Sequence, residues 1–153
     1  MENLNNNRDS DSLNAYFREI FNFAGIGIII LDSKNNIEFI NEEALNIFGY
    51  ELIDIINKNI YALIHDTNQK RFSLYVQSNN SFNPIEFKGI HKDHSAFPVE
   101  INVSSKLFNN DLIHTLVIRD ITELKRNEEN LKHQAYFDSL TEIPNRTLFL
   151  DRS

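Results

Sequence analysis

Apolar residues at Leu13, Tyr16, Phe17, Ile20, Phe21 and Ala24 recur at i, i+3, i+4, i+7, i+8 and i+11. That spacing predicts an amphipathic helix over 13–24, which either packs on the domain it precedes or joins a dimer interface. The period then shortens. GIGIIILD is a β-branched run, SKNN a polar turn and IEFI a second short run, so a hairpin is predicted. Asn41 is a good N-cap, Glu42 and Glu43 suit the first turn of a helix, and Gly49 is placed to end it in the left-handed conformation. Asp66 and Gln69 have capping-box spacing ahead of a helix whose Phe72, Tyr75 and Val76 share a face.

The second half alternates. IEFKGIH, AFPVEINVSS and LIHTLVIRD read as strands separated by the polar turns KDHS and NND. In the middle one, Phe97, Val99, Ile101 and Val103 alternate with Pro98, Glu100, Asn102 and Ser104, which predicts one buried face. Pro98 suits an edge or a bulge better than a central strand. Two strands, a cluster of short helices and a three-strand meander together predict an α+β fold. Its five-stranded antiparallel sheet carries helices on one face, with helices flanking it at both ends.

Composition narrows the chemistry. The chain has 153 residues and no cysteine, which excludes disulfides, thiolate metal sites and a cysteine nucleophile. A net charge of −7 with scattered basic residues argues against nucleic acid or an anionic membrane as partner. The longest apolar run, Ile28–Leu31, is far below the ~20 residues of a membrane helix. Residues 1–12 are polar and read as a disordered lead. A cytoplasmic protein is the expectation.

The stretches GIIILDSKNNIEFINEEALNIFGY, LIHDTNQKRF, HKDHSAFPVEINVSS and VIRDITELK, in this order and spacing, resemble a PAS domain, a sensor module of bacterial signalling proteins. The resemblance implies the PAS fold over 25–122 and a linker helix over 123–137. His94 stands where the family usually has glycine in a turn. Asp120 and Thr122 match the family's Asp-x-Thr motif, which implies coupling of the sheet to the exit helix; ordinary capping is the alternative. Ile121, Leu124, Leu131 and Ala135 form a weak near-heptad stripe on that helix, with Glu128 on the same seam, so Leu124 and Leu131 join Asp120 and Thr122 as signal-transmission candidates. A homodimer through the N-terminal and linker helices is implied.

FDSLTEIPNRTLFLDR, residues 137–152, resembles the first residues of a GGDEF domain, the diguanylate cyclase fold, so 138–153 is expected to be the start of one. Asn145 would cap its first helix, and Asp138 and Arg146 could pair across the preceding turn. No Gly-Gly-Asp-Glu-Phe occurs, so the chain itself is not expected to be an enzyme and has no candidate catalytic residue. The function implied is a sensory and dimerisation module regulating a diguanylate cyclase in cyclic di-GMP signalling. The alternatives are a stand-alone protein–protein interaction domain and, more remotely, a haem or flavin redox sensor.

For cofactors, the resemblance sets specific demands. The axial histidine of haem-binding relatives would lie in the helix matching Thr67–Ser78, which has none and carries Phe72 at that place. Flavin photosensors need a cysteine, and the amide positions hold Val99 and Ile118. Haem and cysteinyl-flavin are therefore disfavoured, and no resident cofactor is expected. His91, Asp93 and His94 share a turn without further convergent ligands, so no metal site is expected. His65 reads as a structural or capping histidine, and His114 as an inward, hydrogen-bonded one. An apolar pocket for a small apolar ligand, or simply the core, is expected from Ile30, Phe39, Phe48, Phe72, Val99, Ile101, His114, Leu116 and Ile118.

Overall fold

The computed structural model describes residues 2–78 and 83–142, with side chains described over 12–78 and 83–133. Two compact units meet in sequence at Asp120 and Ile121. The first holds an antiparallel sheet of β1 (Gly27–Leu31), β2 (Ile37–Ile40), β3 (Ile85–Ile90), β4 (Ala96–Phe108) and β5 (Asp111–Asp120). Its spatial order is β2-β1-β5-β4-β3. Helices α1 (Glu2–Phe23), α2 (Glu42–Phe48), α3 (Leu52–Ile55) and α4 (Gln69–Ser78) belong to the same unit, and α5 (Thr122–Glu142) forms the second. Helix α1 begins well before residue 13, so the segment expected to be a disordered lead is helical from Glu2. Helix α5 likewise runs past 137 into the stretch resembling a second domain. The cap expected of Asn145 and the Asp138–Arg146 pairing lie outside the described residues and side chains.

Local chemistry shapes the elements. Asn41 caps α2, its side-chain oxygen accepting from the Ala44 N–H at 3.0 Å, and Gly49 ends the helix at φ 79°. Asn109 and Asn110 have φ of 51° and 68°, the geometry of a two-residue turn joining β4 to β5. The expected capping box at Asp66 is replaced by a one-residue shift. The His65 ring accepts from the Thr67 N–H at 3.2 Å and caps a short 3-10 turn, Asp66–Asn68, that leads into α4. Gln69 still donates to the Asp66 carboxylate at 3.3 Å, and the same amide nitrogen also donates to the carbonyls of Tyr61 and Ile64.

The core lies between the inner sheet face and helices α2–α4. Phe72 meets Phe87 edge-on at 5.4 Å between ring centroids, and Phe48 meets Phe97 at 5.5 Å; such pairs add about 0.5–1.5 kcal/mol beyond their burial. Both sheet edges are covered. The Lys88 N–H donates to Asn68 and the Lys88 carbonyl accepts from the His65 N–H on the β3 side, while Ile37 bonds both Asn57 and Lys58 on the β2 side. Pro98 lies in an internal strand rather than on an edge. β5 pairing begins only at Val99, however, so at Pro98 the strand has β3 alone as neighbour. Among the described residues no helix is long and apolar enough to cross a membrane.

Candidate functional site

Six of the nine expected pocket residues, Phe48, Phe72, Val99, Ile101, Leu116 and Ile118, are fully or almost fully buried and packed together as core. Two are misplaced by the expectation. Ile30 is half-buried and Phe39 is 41% exposed, paired with each other on the outer face of the sheet. The cause is plain alternation in β1, where Ile29 and Leu31 face the core and Ile30 does not, and Phe39 is the partner of Ile30. The register shift after Ile30 has a different effect: it skips Glu38 and makes Ile37 the partner of Leu31 on the inner face.

The outer face is partly roofed by α1. Phe17 and Phe21 share a groove with Ile28 and Phe39, and Asn22 at the end of α1 accepts from the Glu43 N–H at 3.2 Å. The opposite side of α1 stays open: Tyr16 is 62% exposed and Phe23 is 95% exposed. The helix therefore carries one apolar stripe against the sheet and another toward solvent.

His114, the ninth candidate, is buried and does face inward. Its Nδ1 lies 2.6 Å from the hydroxyl of Ser105, its partner across the β4–β5 ladder. Burial lowers its pKa from the ordinary imidazole value. Around this pair the β1–β2 turn, α4 and the far end of the β4–β5 hairpin enclose an open cleft of about 690 Å³. It is lined by Asn35, Ser73, Gln77, Ser105, Lys106 and His114 among others. Of these, only His114 stands among the sequence candidates. Ser105 was accessible in principle, since it continues the inward series Phe97, Val99, Ile101 and Val103. Asn35, Ser73 and Gln77 carry no such signal.

Three other histidines lie in caps and turns. His65 is the cap described above, its Nδ1 also 2.8 Å from the Thr67 hydroxyl. His91 is half-buried and stacks on Phe97 at 3.9 Å, more enclosed than a turn residue would suggest. His94 adopts φ 70° in the position where glycine is usual in similar turns. Next to it the Ser95 hydroxyl and N–H donate to Asp93 and hold its carboxyl below the usual range. Among the described residues no group of three or more His, Asp or Glu could hold a metal ion. Asp120 is the last residue of β5 and Thr122 the first of α5, so the two flank the junction between the units. Leu124 and Leu131 are exposed on α5.

A family model described as a PAS domain matches residues 25–123. The chain is 26% identical over 153 residues to the cyclic di-GMP phosphodiesterase PdeR of Escherichia coli (strain K12), covering 90% of this chain but 22% of that protein. It thus spans about a fifth of that relative's length. The PAS domain of a Colwellia psychrerythraea protein superposes with a TM-score of 0.64 at 19% identity, over 72% of this chain and 98% of that one. The PAS domain of an HTR-like protein from Haloarcula marismortui gives 0.59 at 16% identity, over 76% and 98%.

Proposed function

The chain belongs to the PAS domain family, and we propose that it is the sensory and dimerisation module of a cyclic di-GMP signalling protein, itself without catalytic activity. The observation that carries this reading is the family match over 25–123 combined with the similarity to PdeR across most of the chain. The resemblance of residues 137–152 to the opening of a GGDEF domain favours a diguanylate cyclase as the effector. The chemistry of the residues supports a sensor without haem or a cysteinyl flavin: α4 has no histidine, Phe72 is locked in the core, and the chain has no cysteine.

A signal would reach the effector through α5. A ligand that prefers one arrangement of the sheet biases the start of that helix at Asp120 and Thr122, and only its differential affinity for two arrangements can do so. Leu124 and Leu131 would then pair with a second copy. The apolar side of α1 left open at Tyr16 and Phe23 supports a homodimer through the N-terminal helix as well.

The test reads cyclic di-GMP in cells carrying T122A at the native gene, with the reading frame followed beyond Ser153. An altered cyclic di-GMP level, with a frame that runs on into a glycine-rich acidic turn, is expected. An unchanged level in a frame lacking any such turn would leave the stand-alone interaction domain as the better reading.

A further inference from the structure

Arg71 on α4 is held by three contacts, none of them with a carboxylate. Its Nη2 donates to the Glu86 carbonyl of β3 at 2.6 Å and to the Asn68 side-chain oxygen at 3.1 Å. Its guanidinium carbon lies 4.4 Å from the centroid of the Phe87 ring. The same Asn68 oxygen accepts from the Lys88 N–H at 2.7 Å, so Arg71 and the backbone of Lys88 share one anchor. Among the described residues, Nε and Nη1 of Arg71 make no hydrogen bond, and neither Arg71 nor Lys88 forms an ion pair. Both residues are exposed. A chain of net charge −7 thus keeps two cations without a carboxylate partner at one strand edge.

These residues border an open pocket of about 270 Å³, which Ala96, Phe97 and Pro98 of β4 complete. Lys88 and Pro98 are partners across the β3–β4 ladder, so the second cation and the proline ring belong to the same place on the sheet. Ala96 is exposed and Pro98 half-buried, which leaves the apolar part of the lining open to a ligand. Glu86 is the carboxylate of the lining. Set against Arg71 and Lys88, it leaves one positive charge, which matches a monoanion better than a dianion. An arginine already oriented by a carbonyl, an amide and a ring loses little rotamer freedom when an anion arrives.

We propose that this pocket binds a small monocarboxylate with an apolar body. The carboxylate accepts from the open nitrogens of Arg71 with the Lys88 ammonium beside it, and the apolar body lies against Pro98 and Ala96. The volume suits a ligand of the size of benzoate and excludes a nucleotide or a flavin. Because Arg71 and Asn68 already join α4 to β3, a ligand held there fastens the helix to the sheet edge. The assignment rests on this pocket alone and does not depend on which effector the module controls.

The experiment is an amide NMR titration of the 153-residue chain at constant ionic strength with three probes. Benzoate carries both features, benzamide has the same shape without the charge, and acetate has the charge without the ring. Saturable shifts at Asn68, Arg71, Lys88 and Ala96 are expected with benzoate, with benzamide and acetate each at least about tenfold weaker. R71Q is expected to weaken benzoate about tenfold, and K34Q in the β1–β2 turn to leave it unchanged. The contrast among the three probes is read on the parent chain, so it decides the matter even if R71Q loses its fold. No saturable shift up to about 20 mM benzoate, benzamide or acetate binding as tightly as benzoate, or unchanged binding by a folded R71Q would each overturn the assignment.

Discussion

Asn41 and Ile28 hold each other through two hydrogen bonds: the Ile28 N–H donates to the Asn41 side-chain oxygen at 2.8 Å, and the Asn41 N–H donates to the Ile28 carbonyl at 3.0 Å. The same side-chain oxygen caps α2 through the Ala44 N–H, and the Asn41 amide nitrogen donates to the Ile26 carbonyl at 3.0 Å. One buried amide thereby registers the first strand against the first core helix.

Removing that amide is expected to cost more than an ordinary cap. N41A loses a cap worth about 1 kcal/mol and leaves the Ile28 N–H and Ile26 carbonyl short of partners, for a total of about 2–3 kcal/mol. Urea denaturation checks this; a loss under about 0.5 kcal/mol would show that water replaces the amide fully.

Gly27 faces the same helix at close range. A Cβ there would lie 3.0 Å from the Ala44 Cβ and 3.1 Å from its backbone Cα. G27A is expected to push α2 off β1 and destabilise the fold by about 1–3 kcal/mol. Urea denaturation of G27A beside the parent reads the loss, and equal stability would mean that α2 shifts without strain.

The two faces of the sheet separate cleanly in energy. Phe72 is fully buried between Tyr61 and Phe87, whereas Phe39 is 41% exposed outside. F72A is expected to cost about 3–5 kcal/mol, and F39A markedly less because much of its surface is already in water. Thermal or urea unfolding of the two variants ranks them, and the reverse order would restore Phe39 to the core.

That contrast also marks how far the residues alone reveal the site. In β4, strict alternation from Phe97 to Val103 identifies the buried face without ambiguity, and His114 follows from its parity with Leu116 and Ile118. In β1 the run Ile28–Leu31 is apolar throughout, so no period tells inside from outside, and the alternation that puts Ile30 and its partner Phe39 on the outer face leaves no mark in composition. The cleft is assembled from four separate segments, and the polar residues they bring to it are common ones with no spacing in sequence to join them. Such a site exists only once the chain is folded.

His114 makes stability depend on pH. Burial lowers its folded pKa below the unfolded value of about 6.5, and among the described residues lining the cleft beside it Lys106 is the charged one and none is a carboxylate. Below pH 6.5 the unfolded state therefore binds more protons than the folded one. Stability is fully present above the unfolded pKa, falls as pH drops below it, and levels off beneath the lowered folded pKa. H114Q is expected to flatten that part of the curve. A histidine-sized loss between pH 7 and 5 that persists in H114Q would assign it to another group.

Self-association is expected to reside in α1. Leu13, Tyr16, Ile20 and Phe23 are all more than 40% exposed, and Phe23 is 95% exposed, an arrangement that costs free energy in water unless a partner covers it. A second copy offers the same stripe, so a two-fold pairing of α1 with α1 covers both at once. Sedimentation equilibrium is expected to show a dimer for the parent chain and a monomer for the double variant I20E/F23E. Because these side chains lie off the core, the unfolding free energy of the isolated fold should move by less than about 0.5 kcal/mol, measured at concentrations where both are monomeric. A parent chain that stays monomeric at high concentration would remove α1 as a dimer surface and leave its open face to a different protein.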